Sequence, residues 1–191
     1  TYDGYGSYYL GQGLASGAQL YSLRILYDRS TWVGPSGYFD ILKVAKRNAS
    51  AYVHSNSWGS STFGQYKESD HAYDRAVRDA DNETNGNQPL IITVSAGNSG
   101  PNYQTTGSPA NAKNVISVGS TETYMPDAQS YGYDGPGVNN PNKISSFSSR
   151  GWTADNRIKP DVVAPGETIL STSSSYGGDN LFGLYTNDNR Y

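Results

Sequence analysis

Asn98 stands where an apolar run, Ile92-Thr93-Val94, breaks into Ser95-Ala96-Gly97 and is followed by Ser99-Gly100-Pro101. An amide NH2 carried at the end of a rigid strand can donate a hydrogen bond to an oxygen that gains charge during acyl transfer, and such preorganised donors supply much of the catalysis. Gly97 and Gly100 would let a substrate approach the backbone. A tight strand-to-loop turn explains the same small residues without any chemistry. Asn98 therefore needs support from the rest of the chain.

Other chemistry-bearing pairs give no self-contained active centre. His54 and Ser57 lie three apart on an expected strand and so face opposite ways, and His54 reads as a packed, hydrogen-bonded histidine. His71, beside Asp70 at a helix start, reads as a surface or capping residue. The chain has no Gly-x-Ser-x-Gly elbow to present a nucleophile. Asp81-Asn82-Glu83-Thr84-Asn85-Gly86 is acidic like a calcium loop, but Glu holds its third position and Ile92 would hold its twelfth, where a bidentate acid is needed. That segment reads as a solvated connection.

The elements that must position Asn98 follow from periodicity. Residues 19–27 and 51–57 read as strands, and between them Ser36 can cap a helix over residues 38–47 with Tyr38, Ile41, Leu42 and Ala45 on one face. A second helix over residues 69–80 carries Ala72, Tyr73, Ala76, Val77 and Ala80 in one stripe, and a strand over 90–95 leads to Asn98. Residues 114–120, 144–147, 162–164 and 169–173 read as further strands, and 124–142 as a polar loop. Strand and helix alternation implies an α/β fold with a mostly parallel, doubly wound sheet and helices on both faces, and such sheets bind ligands beyond the carboxyl ends of their strands. Asn98 lies just past one of those ends.

Composition narrows the function classes. At 191 residues the chain holds one domain or part of one, and a net charge of -3 gives no basic field for nucleic acid. With 17 tyrosines, 22 glycines and 16% charged residues, the chain reads as a loop-rich globule with a neutral surface, which suits an extracellular protein. There are no cysteines, so disulfides and thiolate metal sites are excluded, and no apolar run is long enough for a membrane span.

Four motifs stand in order: Asn56-Ser57-Trp58-Gly59, Ser95 to Pro101, Phe147-Ser148-Ser149-Arg150-Gly151, and Lys159-Pro160-Asp161-Val162-Val163-Ala164-Pro165-Gly166. Together they resemble the subtilisin-like serine proteases, and the style of the last motif looks closest to the oxidatively stable alkaline proteases of that family. The resemblance covers roughly residues 18–173. It implies that Asn98 is the oxyanion-hole asparagine, that Ser57-Trp58-Gly59 and Ser95-Ala96-Gly97 line the first specificity pocket, and that Gly107 forms the floor of that pocket. The motifs at 147–151 and 159–166 are expected to place loops.

The family's Asp, His and Ser motifs are not in this sequence. The resemblance implies that the first two lie upstream of Thr1 and the third beyond Tyr191, so the chain is expected to be one partial catalytic domain, residues 1–191, between the catalytic His and Ser. It further implies a secreted, monomeric endopeptidase acting on polypeptides, needing no cofactor for its chemistry, with room for structural calcium at the carbonyls of residues 110–115. A catalytically dead relative that holds peptides in the same cleft, and a tyrosine- and asparagine-rich carbohydrate-binding module, are the rival readings.

Overall fold

Apolar residues recur three and four apart in the first helical stretch, and the chain there winds into α1 (Tyr38–Ala49), which buries Ile41, Leu42 and Ala45. The computed structural model describes residues 13–27, 31–124 and 140–169. Gly37 rather than Ser36 caps α1, without a side-chain hydrogen bond. Asp40 places a negative charge in the first turn, which complements the helix dipole.

Among the described residues four strands follow the order of the chain: β1 (Val53–Asn56), β2 (Ile91–Ser95), β3 (Ile116–Thr121) and β4 (Val162–Pro165), every neighbouring pair parallel. The second helix, α2 (Glu68–Arg78), connects β1 to β2. It begins one residue before Ser69, and Asp70 closes its first turn by accepting a hydrogen bond from the Lys67 amide at 2.7 Å. His71, next to it, is exposed on the helix surface.

Register decides which side chains meet. Ile92 pairs with His54 and Val94 with Asn56, so Ile92 and Val94 share the face on which α2 lays Ala72, Tyr73 and Ala76 and α1 lays Leu42. Alanines at the helix contact points let α2 come close to the sheet, and each large apolar side chain buried there contributes about 1.5–3 kcal/mol. Among the described residues both helices lie on this face. On the other, Val53, Ile91, Ile116 and Val162 remain 40–58% exposed.

Two expected strands are absent. Among the described residues, 19–27 form no ladder and only Leu26 bridges, to Trp32; Leu20 and Tyr21 are exposed. Of 144–147 only Ile144 bridges, antiparallel to Thr121, because the chain turns immediately to meet the loop after β2. All but the first residue of the strand expected over 169–173, and most of the 124–142 loop, fall outside the described residues.

Candidate active site

β1 and β2 run parallel with Asn56 opposite Val94, so Ser57 and Ser95 leave the sheet at the same end. Ala96 extends the ladder by one bond, its amide donating to Val118 O at 2.9 Å, and its carbonyl accepts from the Gly107 amide at 3.2 Å. Ser60 and Ser108 exchange both backbone hydrogen bonds at 3.0 Å. The structure therefore gathers Ser57-Trp58-Gly59, Ser95-Ala96-Gly97, Asn98 and Gly107 at one edge. Close approach explains the glycines: a Cβ on Gly59 would meet Ser108 O at 2.8 Å, and one on Gly107 would meet Ser60 O at 2.6 Å.

Gly97 adopts φ +110°, a region costly for any residue with a Cβ. The turn it makes throws Asn98 outward, and Asn98 is exposed while Ala96 behind it is buried.

Asn56, one residue before the cleft, ties the site to the core. Its Oδ1 accepts from the Tyr73 hydroxyl at 2.8 Å and the Trp58 indole N–H at 3.3 Å, while its Nδ2 donates to Thr93 O at 3.1 Å. Trp58 is thereby fixed, stacked on Tyr38 at 6.0 Å and edge-on to Trp32 at 5.7 Å. One Trp58 face and its only donor are thus already engaged, which leaves little of the open aromatic platform that a sugar site needs.

His54 lines a cavity of about 270 Å³ with Leu23, Ile25, Ile41, Asn56 and Trp58. Burial holds its pKa below the ordinary histidine value. The Asn56 side chain opposes part of that shift, while Nδ1 is buried without a partner. His54 is packed as expected, against Asn56 and the apolar wall of this cavity.

A second polar network holds the Gly107 side. Asp70 is fully buried, and its Oδ2 accepts from the Ser108 hydroxyl at 2.5 Å. Thr62 is hydrogen-bonded to Ser108 at 3.0 Å and accepts from the Asn111 amide at 3.1 Å. Burial raises the pKa of Asp70, with the hydrogen bonds from the Ser108 hydroxyl and the Lys67 amide opposing the rise. Neither Asp70 nor Ser108 stands out in the sequence; an acid at the third position of a helix suggests only a cap.

The model of the subtilase family matches residues 3–189. The chain belongs to that family. Among curated subtilases and their relatives it is 36% identical over 85 residues to the serine protease AprX of Bacillus subtilis, covering 44% of this chain and 17% of that one. It is 33% identical over 174 residues to pyrolysin of Pyrococcus furiosus, covering 84% and 12%. Among solved structures, sphericase superposes with a TM-score of 0.58 at 24% identity, and an S41 psychrophilic protease with 0.54 at 26%; each covers 84% of this chain and 47% of the other. This subtilase sequence spans about half the length of those structures.

Membership makes structural calcium worth testing against the residues present. The Val115 carbonyl accepts from the Lys159 ammonium at 3.2 Å, and the same ammonium pairs with Asp161 at 2.6 Å while Lys159 is only 5% exposed. Calcium takes six to eight oxygen ligands, and a fixed ammonium at that carbonyl repels a divalent ion. The residues present do not fit calcium at Val115, and among the described residues no cluster of three or more His, Asp or Glu side chains is placed to hold a metal.

Proposed function

We propose that these residues supply the oxyanion-binding amide and the substrate-binding edge of a secreted serine endopeptidase. The observation that carries the reading is the placement of Asn98, exposed on a positive-φ turn at the carboxyl end of β2, beside two segments with small residues at the points of closest approach.

An extended peptide laid along Ser57–Gly59 and Ser95–Gly97 would be held by main-chain hydrogen bonds, as edge-bound peptides are. Its side chain next to the cleaved bond would point toward Gly107. When a nucleophile attacks the carbonyl carbon, the oxygen gains a full negative charge, and an amide donor already in position stabilises that charge without reorganising. Nucleophile, base and orienting acid would come from the family's Ser, His and Asp; none of them is assigned to a residue of this chain.

The test is to express the protein from its whole reading frame and assay a denatured protein substrate with and without an organophosphorus serine reagent. Peptide-bond hydrolysis abolished by stoichiometric labelling of one serine supports the reading. A folded protein that binds peptides without cleaving them, or that hydrolyses them unaffected by the reagent, contradicts it.

A further inference from the structure

The Asn98 side chain is exposed, so its aim depends on the backbone that carries it. That backbone is gripped on both sides by one residue. Ser149 donates its amide N–H to the Gly97 carbonyl at 2.9 Å, and its hydroxyl oxygen accepts from the Ser99 amide at 3.0 Å. The two bonds bracket Asn98 directly, one peptide unit before it and one after.

The grip is referenced to the sheet. Ser148, the neighbouring residue, accepts at its hydroxyl from the Ser120 amide near the end of β3 at 3.0 Å, and Ser145 N donates to Ser120 O at 3.0 Å. Ser148 and Ser149 are 2% and 1% exposed, so neither bond competes with water. Gly100 completes the contact: its amide donates to Phe147 O at 2.9 Å, and a Cβ on it would come within 2.3 Å of Ser148 O. Gly97 is equally constrained, since a Cβ there would meet the Ser149 hydroxyl at 2.8 Å.

We infer that Ser149 is a positioning residue for the oxyanion donor: it fixes the 97–99 turn against the end of β3 so that the Asn98 amide is already aimed when charge develops. This rests on the reading of Asn98 given above. Ser149 touches no substrate in this scheme, so its effect must appear in the transition state and must pass through Asn98.

A double-mutant cycle in the protein expressed from its whole reading frame tests it. Ser149→Ala should lower kcat roughly tenfold, the scale of one lost hydrogen bond, with KM changed less than about twofold. In an Asn98→Ala background the same substitution should change kcat by less than about twofold, because the group it positions is gone. An equal loss in both backgrounds, or no loss in either, overturns the inference. Should S149A not fold, S149C keeps the size with a weaker acceptor and gives the same comparison. Amide exchange at Ser99, followed by NMR, reads the clamp without turnover: slow exchange in the wild type and fast exchange in the variant is expected, and equal exchange overturns it. A wild type without peptidase activity would count against the proposed function, while the exchange result would still decide whether Ser149 holds the turn.

Discussion

Asn56 is the residue whose loss should reach furthest. It satisfies the Tyr73 hydroxyl and the Trp58 indole together and braces the Thr93 carbonyl, so Asn56→Ala would strand at least two partly or wholly buried polar groups. Such groups cost about 1–3 kcal/mol each when fully buried, and partial solvation should bring the sum to about 2–3 kcal/mol, read as a lower urea midpoint at unchanged m-value. The place of Asn98 just past the carboxyl end of β2 was legible in the sequence, because the apolar run before it marks the strand. Asn56, Asp70 and Ser149 were not, since their roles lie in partners 17 to 50 residues away and periodicity carries no information about such pairings.

At the scale of elements, the loop after β2 and the 147–151 segment form one unit. Gly100→Ala would press a methyl into the carbonyls of Ser148 and Ser146, 2.3 and 2.6 Å away, and overpacking of that kind costs about 1–3 kcal/mol. A thermal melt of the variant should shift down accordingly, and an unchanged midpoint would show that the two segments are not in contact. The link between α1 and the loop after α2 has a pH signature. Arg47 forks onto Asp81 at 2.6 and 2.7 Å, which pushes the Asp81 carboxyl down to about 2 from its ordinary 3.8. Because the folded pKa is the lower one, this stabilisation is complete above about pH 4 and disappears as pH falls through about 2. Asp81→Asn should be less stable than the wild type at neutral pH, and the two curves should converge on acidification. A constant gap would contradict the pairing. Both helices and all four strands of the sheet could be read from periodicity, whereas residues 19–27 looked like a strand because their apolar pattern is real but no ladder partner exists for it among the described residues.

Across the whole molecule, the second face of the sheet stands out. Val53 pairs with Ile91 and Val118 with Val162, so the exposed Val53, Ile91, Ile116 and Val162 form one apolar surface across four parallel strands. Parallel sheets are normally covered on both faces. The isolated 191-residue chain should accordingly bind a hydrophobic dye and melt without a cooperative transition; a sharp melt with a native near-UV signal would show that this face is tolerated or covered. Fold class could be read from the alternation of elements, and the family from four ordered motifs. The assembly of the cleft could not, because it depends on the register of β1 against β2 and on the Ser60–Ser108 pairing.

The most direct measurement is steady-state hydrolysis of a chromogenic peptide by the protein expressed from its whole reading frame, wild type against Asn98→Ala. Removing an oxyanion donor costs about 10²–10³ in kcat, a figure established within this family. A loss of that size with KM nearly unchanged would establish Asn98 as the charge-stabilising donor. A variant that turns over at the wild-type rate, or that loses only substrate affinity, would contradict the account.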